Sequence, residues 1–179
     1  MRKHRLAIVG MLSLLLTAVS LAQTPPQPPK PGPEHQKLDY WIGTWNIESD
    51  VKASPFGPAG KSTGTDRVES LGGFFVAFHS DAKTPTGNMK GLGIMGYDIA
   101  AKQYTYFGAS SDGSNTTGMG SVSGNTWTWS AESRMAGKTI KGRFTATTTS
   151  PTSYTFKYEM ADDKGAYSVV EEGKATKGK

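Results

Sequence analysis

Residues 125–162 decide the fold and read NTWTWSAESRMAGKTIKGRFTATTTSPTSYTFKYEMAD. Apolar and polar side chains alternate along this stretch with a period of two, which places Trp127 and Trp129 on one face. Turn-forming residues interrupt the alternation at Ala136-Gly137 and again at Ser150-Pro151. The stretch therefore predicts three consecutive β-strands, each with one apolar, aromatic face and one polar face.

The same rhythm of alternating segments and short turns extends over most of the chain. Links this short make consecutive strands antiparallel neighbours, and closing such a meander into a barrel removes both exposed edges. We predict an all-β fold, a single up-and-down antiparallel β-barrel of about ten strands, which is wide enough to enclose a cavity. The predicted strands cover residues 44–52, 60–71, 73–81, 88–98, 102–110, 114–123, 125–133, 137–149, 152–162 and 165–175.

A short helix is expected directly before the first strand. Pro33 suits the first turn of a helix. Leu38, Trp41 and Ile42 are three and four residues apart and so share one helical face. Gly43 is expected to end the helix. We predict that this helix packs against one end of the barrel and plugs it.

The N-terminus has the layout of a secretory signal. A basic RKHR at residues 2–5 precedes an uncharged apolar run at residues 6–19, and small residues precede a cut ahead of Gln23. The alternative is a membrane anchor, but the apolar run is shorter than the roughly 20 residues of a full span. We predict a signal peptide at 1–22, a proline-rich linker at 23–33, and a barrel domain at 34–179. This organisation predicts a secreted or periplasmic protein without stable membrane insertion after cleavage.

Charge and cysteine content exclude several classes of protein. The 179 residues carry a formal net charge of +5 and contain no Cys. Cleavage removes Arg2, Lys3 and Arg5 from the 20 basic residues, which leaves 17 against 15 acidic ones, a net charge of +2. Without a stripe of Lys or Arg interleaved with aromatics, nucleic-acid binding is not expected. The absence of Cys rules out disulfides, thiolate zinc sites and cysteine nucleophiles.

The search for catalytic motifs is mostly negative. The sequence has no nucleophile elbow, phosphate loop, dinucleotide fingerprint or H-E-x-x-H metal motif. After the predicted signal the only histidines are His35 and His79, and neither has the local signature of a triad or a metal site. We therefore predict no catalytic residue and no metal site. Paired carboxylates on different strands remain open, because sequence alone does not show which strands bring them together.

Three motifs resemble known families. Residues 41–45, WIGTW, place Gly-x-Trp directly before the first strand, which resembles the opening of calycins and lipocalins. The LGG step at 71–73 and the stretch GIMGYDIAAKQYTYFGASSDG at 93–113 are similar to a bacterial family of secreted domains of unknown function, "DUF" fifteen-seventy-nine. The resemblance covers residues 34–177. It implies a lipocalin-like barrel with Trp45 at one end, and it implies no activity because the family is uncharacterised.

Haem-binding calycins of the nitrobindin type also open with Gly-Thr-Trp, matched here by Gly43, Thr44 and Trp45. They bind haem through a His near the C-terminal end, whereas this sequence has no His after His79. We therefore expect no cofactor, haem included. Lipocalins also often cover the opening Trp with an Arg from the last strand, where this chain offers Lys174 and Lys177.

The predicted function is to sequester or carry a small hydrophobic or aromatic molecule in the barrel cavity, with no catalysis expected. Two alternatives remain open: a nitrobindin-like haem enzyme, and a structural or interaction module with a filled barrel. The oligomeric state and protein partners are not indicated by the sequence. The residues predicted to line the cavity are Trp45, Tyr104, Tyr106, Trp127, Trp129, Tyr154, Phe156 and Tyr158.

Overall fold

The computed structural model describes residues 29–178, so the predicted signal peptide and the first part of the linker lie outside the described residues. A single α-helical turn, α1, is followed by a short 3-10 helix and ten strands. Within residues 29–178, no helix is both long enough and apolar enough to cross a membrane. The elements are α1 Pro33–Gln36, the 3-10 helix Lys37–Trp41, β1 Gly43–Val51, β2 Gly60–Leu71, β3 Phe75–Thr84, β4 Gly87–Asp98, β5 Gln103–Ser110, β6 Asn115–Ser123, β7 Thr126–Met135, β8 Lys138–Ser150, β9 Ser153–Ala161 and β10 Tyr167–Lys177.

The ten strands form one closed antiparallel barrel in which each strand pairs with its neighbours in sequence. β10 returns to pair with β1, with Trp45 opposite Lys177 and Val51 opposite Glu171. The predicted all-β, up-and-down barrel with a short N-terminal helix is confirmed. β3 begins at Phe75 and not at residue 73, because Gly72 and Gly73 adopt φ of +64° and +76° and form a turn ahead of it.

The N-terminal helical segment ends slightly earlier than the sequence predicted. The 3-10 helix stops at Trp41, and Ile42 is already extended. Gly43 is the first residue of β1 and has φ of +125°, a backbone conformation that L side chains rarely adopt. Directly after this bend, the indole Nε1 of Trp45 donates a hydrogen bond of 2.7 Å to the carbonyl oxygen of Trp41. This bond fixes the angle at which the helix enters the barrel.

Glycines on the lumen side of the strands make room for flat aromatic rings. A Cβ on Gly120 would lie 2.6 Å from Nε1 of Trp129, and a Cβ on Gly93 would lie 2.9 Å from the Tyr106 hydroxyl. Contacts this short do not occur between real side chains, so these rings lie directly on the glycine backbone. The high glycine content of the chain is thus partly a packing requirement of its aromatic residues.

Candidate ligand site in the barrel lumen

One half of the barrel lumen is filled by aromatic side chains, and we call it the sealed half. Trp41 enters from the 3-10 helix, and its ring centroid lies 5.5 Å from that of Trp127 and 5.1 Å from that of Tyr154. Trp127 stacks on Trp129 with an interplanar angle of 11°. The side chains of the sealed half are between 0% and 6% exposed: Leu38, Trp41, Trp45, Val68, Val76, Met95, Tyr104, Trp127, Trp129, Ala146, Tyr154 and Ala175.

Separate contacts hold the helical segment and cover the opening tryptophan of β1. The Tyr104 hydroxyl on β5 lies 2.7 Å from Oε2 of Glu34 in α1. At the end of β10, the Nζ of Lys177 lies 5.0 Å from the ring centroid of Trp45. Lys174, the other lysine considered for this position, instead forms an ion pair of 3.2 Å with Glu48 on the outer wall. A cation–π contact from Lys177 therefore covers the opening tryptophan.

The rest of the lumen is lined by inward-facing side chains that are only half-buried, and we call it the unfilled half. Period-two alternation puts these residues on the same sheet face as the core of the sealed half. Their partial exposure means that space reachable by a water-sized molecule remains beside them. They include Ile47, Phe78, Tyr106, Phe144, Phe156 and Tyr158.

The residues predicted from sequence as cavity lining divide between the two halves. Tyr104 and Tyr106 both face the lumen, and Phe107 next to them points outward with 48% exposure. Five of the predicted residues belong to the sealed half: Trp45, Tyr104, Trp127, Trp129 and Tyr154. The other three line the unfilled half: Tyr106, Phe156 and Tyr158.

The sequence analysis missed a carboxyl group in the lumen. Asp66 lies on β2 on the same face as Val68 and is opposite Ser80 of β3. Burial raises the pKa of Asp66, and a hydrogen bond from Ser80 offsets part of this rise. The pKa of Tyr106 is also raised, first by burial and then by the negative charge of Asp66. The same two causes raise the pKa of Tyr154.

In the register of the sheet Asp66 is opposite Trp45 of β1, on the inward face of the barrel. The one sequence signal for Asp66 is that it lies two residues before Val68 and so shares its strand face. The other inward positions of β2 are the small residues Ser62, Gly64 and Ser70, so no apolar alternation marks this face. The sequence likewise predicted Trp41 on the face of a helix that plugs the end of the barrel, but it did not predict the contact of Trp41 with Trp127 and Trp129.

Further polar groups line the wall of the unfilled half. The Ser49 hydroxyl donates a hydrogen bond of 2.6 Å to Oε1 of Glu171. The Ser133 hydroxyl lies 2.8 Å from that of Thr116 and 3.4 Å from that of Tyr158. The lumen thus combines aromatic faces with a small number of polar groups, which is the usual composition of a small-molecule site.

Comparison with known families matches residues 30–177 to the family described as "Protein of unknown function (DUF1579)". The chain belongs to the DUF1579 family. No curated protein matches the sequence significantly. The family assignment agrees with the resemblance found in the sequence, and it carries no activity with it.

Among solved structures, the matches are barrels of low sequence identity, and one of them superimposes well on this chain. The crystal structure of Rv2717c from M. tuberculosis superimposes with a TM-score of 0.63 at 11% identity, covering 84% of this chain and 100% of that chain. A de novo designed fluorescence-activating β-barrel gives a TM-score of 0.45 at 15% identity, covering 79% of this chain and 96% of that chain. The likeness to Rv2717c concerns the barrel fold alone.

The two described histidines of this DUF1579 protein lie outside the lumen wall. His35 is buried in α1, where its Nδ1 accepts a hydrogen bond of 3.1 Å from the Gly32 amide. His79 points outward from β3, with Nε2 3.2 Å from Oε1 of Glu69. A haem held by an axial imidazole, as the nitrobindin resemblance would imply, does not fit residues 29–178, because their lumen offers no imidazole.

A groove of about 760 Å³ crosses β8, β9, β10, β1 and β2, lined mostly by outward-facing side chains but also by the inward-facing Ser49, Ser62 and Phe156. Charged side chains that already pair with one another line this groove, including Lys61 with Asp50 at 2.7 Å and Lys174 with Glu48. An apolar ligand would gain little there, because surface ion pairs keep the groove hydrated. The lumen is the better candidate site of this family member.

Proposed function

We propose that this protein binds a small apolar or aromatic molecule in the unfilled half of the barrel lumen. The observation that carries the proposal is the division of the lumen. Trp41, Trp127 and Trp129 close the sealed half, whereas Tyr106, Phe156 and Tyr158 face the lumen and stay half-buried. An aromatic floor with unfilled aromatic walls above it is suited to an apolar guest.

The free energy of burial sets the scale of the affinity. A ligand that buries about 300 Å² of apolar surface gains roughly 7.5 kcal/mol at 25 cal/mol per Å². The loss of translational and rotational freedom costs at least about 4 kcal/mol. Apolar burial alone therefore supports binding near the millimolar range, and tighter binding requires a polar group in the lumen to orient the guest.

We further propose that the protein works in the periplasm or outside the cell as a carrier or sequestering protein. The support is the signal layout of residues 1–22, followed by the proline-rich segment 23–33. Mass spectrometry of the protein isolated from the envelope fraction of its own cells tests the location. A mature N-terminus at Gln23 supports the proposal, and an intact Met1 in the cytosolic fraction contradicts it.

Native mass spectrometry of the mature protein, residues 23–179, tests ligand binding. The protein is purified from its own envelope fraction, and its native mass is compared with its denatured mass. A reproducible excess that denaturation releases supports a carrier and gives the mass of the cargo. A haem-sized excess would instead favour the enzyme alternative.

A pair of variants locates the bound molecule. Ala131 is half-buried and faces the lumen of the unfilled half, whereas its neighbour Ser130 is exposed on the outer wall. Ala131→Phe is expected to abolish the mass excess by filling the lumen, and Ser130→Phe is expected to leave it unchanged. If wild-type protein shows no excess, the barrel is better explained as a structural or partner-binding module.

A further inference from the structure

Asp66 is a carboxyl group in the lumen without a cationic partner. The ion pairs formed within residues 29–178 do not include Asp66. Its cross-strand neighbours are Ser80 on β3 and Trp45 on β1, and neither is charged. Lys177, which also belongs to the inward face, is held at the sealed end over the rings of Trp45 and Tyr40. A carboxylate withdrawn from water without a countercharge is costly, and a bound cation would remove that cost.

The surroundings of Asp66 are suited to an organic cation. Trp45 is directly opposite Asp66 on β1, and Tyr106 and Tyr154 lie on the inward faces of their strands. Phe78 is the inward-facing residue next to Ser80 on β3, diagonal to Asp66. Aromatic faces attract ammonium groups, and a carboxylate accepts charge-assisted hydrogen bonds from them.

Two indole N–H groups in the floor of the lumen also lack an acceptor within residues 29–178. The indole Nε1 atoms of Trp41 and Trp129 are buried and have no hydrogen-bond acceptor in the described part of the chain. Trp41 is 3% exposed and Trp129 is 4% exposed, and both rings belong to the floor of the lumen. Trp129 also lies next to the unfilled half, with its ring centroid 6.0 Å from that of Phe144. Buried N–H groups normally have an acceptor, and bound water can supply one here. A protonated amine has no lone pair, so these donors do not themselves select the amine.

We propose that Asp66 anchors a ligand that carries a protonated amine on an apolar or aromatic body. The inference rests on the proposed function, since it assigns a ligand class to the same lumen. The amine donates hydrogen bonds to the Asp66 carboxylate, and the ligand body packs against Tyr106, Phe78 and Tyr154. Organic anions are excluded from the same position by the charge of Asp66.

Three probes of similar shape test the ligand class: 1-naphthylmethylamine, neutral 1-methylnaphthalene and anionic 1-naphthoate. Binding to the mature protein is measured by isothermal titration calorimetry. We expect the amine to bind about tenfold or more tightly than the neutral probe, as a charged hydrogen bond predicts. The anion is expected to bind weakest. Equal affinities for the amine and the neutral probe, or tighter binding of the anion, would overturn the inference.

Two aspartate variants show whether Asp66 is responsible. Asp66→Asn is expected to abolish the preference for the amine and to leave the affinity for 1-methylnaphthalene unchanged. The matched control, Asp50→Asn on the outer wall, is expected to keep the preference, because Asp50 pairs with Lys61 and does not face the lumen. A preference that survives Asp66→Asn overturns the assignment. Failure of all three probes to bind wild-type protein contradicts the proposed function and the inference together.

Discussion

The Tyr104 hydroxyl lies 2.7 Å from the Glu34 carboxylate and so joins the helical segment to the barrel wall. A bond to Lys37 and, after it, this bond from Tyr104 lower the pKa of Glu34. The same hydroxyl lies 3.0 Å from the Glu34 backbone carbonyl, so the contact fixes both side chain and main chain of α1. The plug of the barrel is thus attached through a specific polar contact as well as by apolar packing.

Tyr104→Phe tests this attachment. We expect a loss of about 1 kcal/mol in the free energy of unfolding, the usual net value of one hydrogen bond. Urea denaturation measures it, and hydrogen exchange should show faster opening of residues 33–41. Tyr97→Phe is the control, because the Tyr97 ring packs on Tyr104 at 5.0 Å but its hydroxyl makes no hydrogen bond within residues 29–178. Equal losses for the two variants would contradict the expectation.

Trp41→Ala should destabilise the protein strongly, since it empties the centre of the sealed half. Truncation of a buried tryptophan costs about 3–5 kcal/mol. Trp41→Phe keeps part of the apolar packing and removes an indole N–H that has no acceptor within residues 29–178, so its cost should be clearly smaller. The midpoints of chemical denaturation compare the two. A loss below about 1 kcal/mol for Trp41→Ala would mean that Trp41 is not part of the core.

Asp66→Asn should stabilise the ligand-free protein at neutral pH, an effect opposite to the loss expected in binding. Because burial raises the pKa of Asp66 in the folded state, its contribution to stability is fully present below the unfolded pKa of about 3.9. That contribution is lost as the pH rises through the higher folded-state pKa. The stability difference between variant and wild type should therefore grow with pH above about 4 and then level off. Denaturation midpoints measured between acid and neutral pH check the trend, and a difference that shrinks as pH rises would refute it.

The contribution of Glu159 to the stability of the protein should depend on pH in the opposite direction to that of Asp66. Arg143 donates two hydrogen bonds to Glu159, of 2.8 and 2.9 Å. These bonds, followed by one from Lys157, lower the pKa of Glu159 despite its burial. Its stabilising contribution is present above the unfolded pKa and is lost as pH falls through the lower folded-state value. Glu159→Gln should cost about 1 kcal/mol at pH 7, since Arg143 is partly exposed, and less in acid. A cost that is independent of pH would argue against the ion pair.

Gly120→Ala adds only one methyl group, but it should lower the free energy of unfolding markedly. The new methyl group would collide with the indole of Trp129, which is 4% exposed and stacked on Trp127. Overpacking of this kind costs about 1–3 kcal/mol. Gly91→Ala is the matched control, because its Cβ would be 3.4 Å from the nearest atom, the Cβ of Ser80. Thermal unfolding of the two variants measures the difference, and a control as unstable as Gly120→Ala would show that loss of glycine itself is harmful.

The sequence predicted the barrel well because its strands are antiparallel neighbours joined by short turns. Glycines of positive φ, such as Gly124 and Gly137, end the alternating segments and so mark the strand boundaries. Alternation also identified the inward faces of β7, β8 and β9, where aromatic residues mark one side of each strand.

The candidate site was less predictable, for a physical reason. The inward face of β2 carries Ser62, Gly64 and Asp66 ahead of Val68. Because this inward face is mostly polar, apolar and polar residues do not alternate along β2. The sequence therefore does not show that Asp66 faces the lumen, and the pairing of β2 with β3 in the structure does. The insertion of Trp41 depends on how the helix docks, which residue spacing does not specify.

The pairing of β1 with β10 has a consequence for folding. Nine of the ten strand pairs join neighbours in sequence, and this seam alone brings together strands from opposite ends of the domain described by residues 29–178. Its closure therefore has the largest chain-entropy cost, so the hairpins can form before the ring does. A circular permutant that joins Lys177 to Pro33 through a flexible linker and opens at Ala136-Gly137 would keep every neighbour pair and the helical segment with Trp41, but move the last-closing seam to β7 and β8. The order of assembly could thus be changed while the lumen and its residues stay the same.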